Sequence, residues 1–217
     1  MHIAIIPDGN RRYMKKQGIT DISTAYSSGI QKFKEVTKWC IEFGVKELTV
    51  YSLSIENLQR RSKMEIKPLL TLFSREAKKL LRDKEIRRNK VKINICGDRD
   101  LLRRKNKSLY RNLRKLEEVT RGHKKFTLNL AIAYGGRQEI LNAAEMCSYG
   151  ELPFTENSIR EFLWVKSYPD IIIRTAETRL SNFLTFQSAY SKIYFVDKLW
   201  QEFEREDLKE IISNFKK

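Results

Sequence analysis

The chain has 217 residues, 41% of them hydrophobic and 11% aromatic, enough to bury one good-sized core, so a single domain spanning 1–217 is expected. With two histidines, His2 and His123, and three scattered cysteines, Cys40, Cys96 and Cys147, a zinc site is excluded and the thiols read as reduced core residues rather than disulfides. A net charge of +16, from 43 Lys plus Arg against 27 Asp plus Glu, calls for a polyanionic partner: nucleic acid, an anionic membrane surface or a phosphorylated substrate.

The first predicted element is a short strand over 2–7, apolar throughout and followed by "PDGNRR". Its apolar run is too short for a signal peptide, and no later run is long enough to cross a membrane. A cytoplasmic protein is expected, peripheral to a membrane at most. A helix over 24–43 follows, then a strand over 46–54, a long helix over 62–88 and a strand over 91–97. A helix over 100–119 leads to a strand over 126–134 and a helix over 137–147. "EMCSYGELPFTEN" is the one plausible long loop, before a helix over 157–164, strands over 170–175 and 193–196, and a last helix over 205–215. This alternation predicts the α/β class, with a mostly parallel sheet covered on both faces.

The cations are densest in "KKLLRDKEIRRNKVK" and "LLRRKNKSLYRNLRK", mixed with leucines at helical spacing. A solvated helix face and a binding surface explain that pattern equally well. Neither segment has the interleaved aromatics of an RNA platform, which makes nucleic acid the weaker candidate.

Polar residues collect where the strands end: "PDGNRR", "SLSIENLQRR", "AYGGRQE" and "IRTAETRLSNF". In a parallel sheet those ends share one edge, so four segments are expected to converge on one cleft. Proline, Asp, Gly and Asn are ordinary turn formers, and "PDGNRR" alone says no more than that. In the cleft, the same loop has backbone amides and arginines for an anion, with Asp8 to hold a divalent cation. Asp8 and Glu56 would be its acids, and Arg11, Arg12, Arg60, Arg137, Arg174 and Arg179 its cations. Ser54, Asn57 and Ser181 add neutral hydrogen-bonding groups. Guanidinium groups grip phosphate through paired bonds, so this set suits diphosphate recognition.

The runs "PDGNRRYMKKQG", "YSLSIENLQR", "NLAIAYGGRQEI" and "DIIIRTAETRLSNFLTFQSAYSKIYFVDKLWQEFEREDL" occur in that order and resemble the cis-prenyltransferases, the undecaprenyl and dehydrodolichyl diphosphate synthase family. The resemblance implies a six-stranded, mainly parallel sheet, a hydrophobic tunnel for the growing chain, homodimers and Mg2+ as cofactor. It also implies the reaction: an allylic diphosphate loses pyrophosphate and is attacked by the double bond of isopentenyl diphosphate, giving a Z double bond. On this pattern Asp8 binds the metal and is needed for catalysis, with Ser54 and Asn57 near the reacting carbons. Gly9, Asn10, Arg11 and Arg12 hold the allylic diphosphate, with Arg60 among the cleft cations, while Arg174, Arg179 and Ser181 hold the second diphosphate. Leu69, Leu70, Leu72 and Phe73 are expected to line the tunnel or, equally, to be plain core.

Several positions depart from the family pattern. Lys192 stands where a magnesium-binding glutamate is usual, with Glu177 as an alternative metal ligand and Lys192 turned to solvent. The loop "RTAETR" is one residue short, Ile22 and Tyr26 replace an arginine and a histidine, and the chain ends at "ISNFKK" without the usual glycine-containing basic tail. The expectation is an elongating prenyltransferase with a rewired acceptor site. Its alternatives are an enzyme joining two allylic diphosphates, a weak partner subunit, or a basic polyanion-binding module on the same fold. Peripheral contact with a membrane would suit the lipid product.

Overall fold

The computed structural model describes residues 1–216. Its centre is a six-stranded sheet of β1 (His2–Ile6), β2 (Glu47–Ser54), β3 (Val91–Cys96), β4 (Phe126–Tyr134), β5 (Ile171–Thr175) and β6 (Lys192–Val196), in the order β3-β4-β2-β1-β5-β6. Every pairing is parallel. The inner strands are near-continuous Ile, Leu, Val and Ala because helices cover both faces and leave no solvated side for polar alternation. β1 lies between β2 and β5, with Ile3 opposite both Leu48 and Ile171. The C-terminal ends of these three neighbours therefore bring the segments after Ile6, Ser54 and Thr175 side by side.

Around the sheet lie α1 (Asn10–Lys16), α2 (Ile22–Glu42), α3 (Ile55–Arg60), α4 (Lys63–Leu80), α5 (Lys84–Arg88), α6 (Arg99–Lys105), α7 (Lys107–Thr120), α8 (Gly136–Tyr149), α9 (Glu156–Phe162) and α10 (Arg205–Lys216). The strands fall within a residue or two of expectation, but two predicted helices are divided. The 62–88 stretch breaks at Asp83, whose carboxylate accepts the Glu85 amide at 2.8 Å and starts α5. The 100–119 stretch breaks at Asn106, which leaves the helical region and caps α7 through the Leu109 amide at 2.9 Å. The expected long loop is shorter than predicted, since α8 continues to Tyr149.

The larger core cluster packs β1 to β5 against α2, α4, α7 and α10, and a smaller one gathers Tyr134, Val165, Phe183 and Leu184 on the opposite face. All three cysteines are buried and free, and burial pushes the Cys40 thiol up to about 12.

Candidate active site

The three strand ends enclose a cleft of about 690 Å³. Asp8 lies on its floor, immediately after β1. Its backbone is fixed by Thr175, whose Oγ1 accepts the Asp8 amide at 2.9 Å and donates to the Asp8 carbonyl at 2.8 Å. The Trp200 amide donates to the same carbonyl at 2.9 Å. The carboxylate accepts from the Gly9 amide at 2.6 Å and from Arg174 Nη2 at 2.7 Å. Gly9 has φ of 101°, and a Cβ there would stand 2.9 Å from Leu199 Cδ2, so only glycine lets the chain turn beneath Leu199. The turn feeds α1, which carries Asn10, Arg11 and Arg12. Arg11 is paired with Glu65 at 2.8 Å, and Arg12 donates to the Ala176 carbonyl at 2.6 Å with Glu177 3.6 Å away.

From β2 come Ser54, Glu56, Asn57, Arg60 and Arg61. Ser54 caps α3, its Oγ accepting the Asn57 amide at 3.0 Å. Glu56 Oε1 accepts from Asn182 at 2.7 Å, while its Oε2 is buried with no partner among the described residues. α3 ends at Arg60, and the extended backbone of Arg61 just after it swings that guanidinium onto Tyr26. Nη1 donates to the Tyr26 hydroxyl at 2.5 Å and the guanidinium sits 5.6 Å from the ring, leaving Nε buried and unpartnered.

The third wall follows β5. Arg174 is 3% exposed; Nη1 donates to Ser181 Oγ at 2.6 Å and to the Arg179 carbonyl, while Nη2 holds Asp8. It braces the cleft from behind, and its Nε alone lacks a partner. Ala176, Ser181, Asn182 and Leu184 all have positive φ, a tightly wound loop stitched to β2 where the Tyr51 hydroxyl meets the carbonyls of Ser181 (3.4 Å) and Tyr134 (3.3 Å). Burial, reinforced by the Glu56 charge, pushes the Tyr51 pKa upward, so this phenol stays neutral. Arg179 is mostly exposed, with Glu177 3.9 Å away.

Beyond the cleft runs an apolar channel of about 130 Å³ between α2, α4, α7 and the sheet. Pro7, Asn10, Tyr26, Tyr51 and Ser52 border both spaces, so the two are continuous. Further along, Ile30, Phe33, Phe73, Ala77, Leu109 and Leu113 make the wall. One polar interruption is Glu76, bound by Lys34 Nζ at 2.8 Å and Lys79 Nζ at 2.7 Å. Burial opposes its charge, but the two ammonium groups hold its carboxyl below the ordinary range.

Asp8, Gly9, Asn10, Arg11, Arg12, Ser54, Glu56, Asn57, Arg60, Arg174, Arg179 and Ser181 all line the cleft, as does Glu177. Arg137 does not. The Gly136 amide is bonded to the Asn182 carbonyl at 2.7 Å, which sets α8 behind the wall and turns Arg137 out to solvent, so three strand ends converge rather than four. Of the expected tunnel residues, Phe73 lines the channel and Leu69 the cleft; Leu70 and Leu72 are buried in neither. Lys192 is also outside the cleft. It opens β6 opposite Ile171, at the far edge of the sheet, with its ammonium 5.3 Å from the Phe215 ring. Sequence reasoning missed Arg61, Asn182 and the bracing Thr175. Among the described residues no three His, Cys, Asp or Glu gather as a metal cage. Asp8, whose side chain is 40% exposed, fits the other mode, in which Mg2+ is shared between one protein carboxylate and substrate phosphates.

Residues 6–217 match the protein family described as "Putative undecaprenyl diphosphate synthase". The chain is 42% identical over 223 residues, 99% of its length and 92% of the relative's, to a tritrans,polycis-undecaprenyl-diphosphate synthase (geranylgeranyl-diphosphate specific) of Pyrobaculum aerophilum. It is 36% identical to an isoprenyl transferase of Thermus thermophilus, over 99% of this chain and 85% of the other. Two crystal structures, each 29% identical and covering 99% of this chain and 94% of the other, share the fold. One is a probable undecaprenyl diphosphate synthase from Campylobacter jejuni, with TM-score 0.83; the other is lavandulyl diphosphate synthase from Lavandula x intermedia in complex with dimethylallyl diphosphate, with TM-score 0.87. With a cation-lined cleft opening into an apolar channel, and with these relatives along its whole length, the chain belongs to the undecaprenyl diphosphate synthase family of prenyltransferases, which join an allylic diphosphate to isopentenyl diphosphate.

Proposed function

We propose that this enzyme extends a geranylgeranyl-type allylic diphosphate by successive cis additions of isopentenyl diphosphate. The observation that carries the reading is the shared wall of Pro7, Asn10, Tyr26, Tyr51 and Ser52, which lets one molecule keep its diphosphate among cations and its chain in apolar space. The specificity printed for the archaeal relatives supports the primer. Identity of 42% to a head-to-tail enzyme against 29% to lavandulyl diphosphate synthase favours regular elongation over the joining of two allylic diphosphates.

In this reading Gly9 and Asn10 let the allylic diphosphate approach the backbone, and Arg12 and Arg61 neutralise it. Arg60 and Arg179 meet the acceptor diphosphate, with Ser181 positioned between them and Arg174. Asn57 orients the reacting carbons, and Ser54 keeps α3 in place. Asp8 would hold Mg2+ against the leaving diphosphate, where the ion supplies charge neutralisation. Arg174 keeps the Asp8 carboxylate aligned, and Tyr51 and Leu53 help keep water from the allylic carbon. Exposed Leu141, Tyr149 and Phe154, on α8 and the turn after it, provide an apolar face for a homodimer.

Arg179→Ala tests the acceptor assignment without disturbing the core. The apparent KM for isopentenyl diphosphate should rise at least about tenfold, with the primer KM changed less than about twofold. Equal effects on both would overturn it.

A further inference from the structure

The cations are not spread evenly. Residues 78–125 hold 19 lysines and arginines against 6 acids, and the remaining 169 residues hold 24 against 21, so one stretch carries thirteen of the sixteen net positive charges. It folds into the C-terminal end of α4, α5, β3, α6 and α7, beside the β3 edge of the sheet. α7 divides sharply: Leu109, Leu113 and Leu116 are buried, while Lys107, Arg111, Arg114 and Lys115 are exposed. None of those four cations has a described acid within 4.0 Å. A shallow groove of about 1060 Å³ joins them to Arg103 and Arg104 of α6, and Arg103 alone there has an acidic partner, Asp100 at 3.3 Å.

Three features choose among polyanions. Arg111, Lys115 and Val119 recur every four residues on one face of α7, and Val119 is 53% exposed, an apolar side chain set among cations. The aromatic rings in 78–125 are Tyr110, half-buried against the core at the edge of the groove, and half-buried His123, so the surface lacks the row of exposed rings on which successive nucleobases stack. The surface also adjoins the far end of the apolar channel. Leu80 borders both the channel and the groove between α5 and α7, and Leu109 and Leu113 line the channel from the inner side of the helix that carries the cations outside. The diphosphate cleft lies at the opposite end of α4, near Arg61.

We propose that the basic face of α5, α6 and α7 docks this enzyme on an anionic lipid bilayer, bringing the distal end of the product channel against the membrane that takes up its apolar product. The link to the product rests on the elongation reading above; the docking itself does not. Each lysine or arginine held at an anionic leaflet strengthens attachment roughly fivefold, and the attraction fades within about a Debye length, so it is salt-sensitive.

The full chain is sedimented with vesicles of phosphatidylcholine alone and of an equal mixture of phosphatidylcholine and phosphatidylglycerol. Binding is expected on the mixed vesicles, weakening as salt is raised, and not on the neutral ones. The variant Arg111→Glu/Arg114→Glu/Lys115→Glu should bind at least about thirtyfold less. A control with the same charge change on exposed sites elsewhere, Lys38→Glu/Lys209→Glu/Lys216→Glu, should lose less than about threefold. Circular dichroism checks folding, and the rate of a first condensation with soluble substrates should match wild type in both variants. Equal losses in the two variants, unchanged binding by the first, or binding of a single-stranded RNA oligonucleotide in place of anionic vesicles would each overturn the proposal. Loss of the condensation rate in wild type and variants alike would instead strike the elongation reading and leave the vesicle result standing.

Discussion

The cleft and the channel share five residues, yet they are made differently. Around the cleft Gly9, Ala176, Ser181, Asn182 and Leu184 all take positive φ, which costs the four that are not glycine about 1 kcal/mol each and persists because surrounding hydrogen bonds overdetermine the loops. The channel is walled mainly by the faces of regular helices and strands, and its side chains are ordinary hydrophobic packing. A site that must fix charge within ångströms is built from strained backbone; one that must accommodate a lengthening hydrocarbon is built from propensity and burial. Cleft substitutions should therefore act on rate, and channel substitutions on product.

The strongest break in that contrast is Asp8→Ala. Losing the carboxylate proposed to hold Mg2+ should lower kcat/KM roughly a thousandfold, because charge on the leaving diphosphate would go unneutralised. It also frees the buried Arg174 from its ion pair, so a modest fall in Tm is expected alongside. Steady-state kinetics that retained a tenth of wild-type activity would refute the assignment. An intermediate effect is expected in the channel. Ala77→Leu adds volume where the wall is small, and products measured by mass should shorten while the first condensation slows less than about threefold. Unchanged product length, or a rate loss equal to that of Asp8→Ala, would erase the distinction.

The smallest effect concerns Glu76. Its carboxyl is held below its ordinary value of 4.5 by Lys34 and Lys79, so its share of stability is present above that value and is lost as the carboxylate protonates on acidification. Lys34→Met should remove under about 1 kcal/mol at neutral pH. The gap in Tm between wild type and variant should close as pH falls below 4.5 and the carboxylate protonates. A gap of constant size across that range would show that the pair contributes no charge-dependent stability.

Strand polarity was enough to foresee the cleft, since turn formers and arginines followed three neighbouring buried strands. It was also enough to exclude Lys192, because the first residue of a parallel strand lies at the edge away from its neighbours' C-terminal ends. The family pattern at that position obscured this. What the sequence hid depends on local breaks. Arg60 and Arg61 are adjacent, and which one reaches Tyr26 is decided where α3 gives way to extended backbone at Arg61. Arg137 was misplaced because its position depends on a hydrogen bond to Asn182, 45 residues away in sequence. The capped breaks at Asp83 and Asn106 interrupt runs whose apolar spacing continues on both sides, so periodicity alone could not divide them.

The turn at Trp200 ties the first loop to the other end of the polypeptide. Its amide holds the Asp8 carbonyl, its indole donates to Gly29 at 2.8 Å, Gln201 donates to Asn10 at 2.8 Å, and Lys16 meets Glu202 at 2.5 Å. These contacts span 171 to 192 residues, and β1 itself waits for β5 before both of its edges are filled. The Asp8 loop, though made first, is thus among the last parts to be set. On the ribosome, a nascent chain that has not yet released this turn can make the contacts of Thr175 and Arg174 to Asp8 but not those of Trp200 and Gln201, so premature termination before Trp200 yields a protein whose first loop is held from one side only.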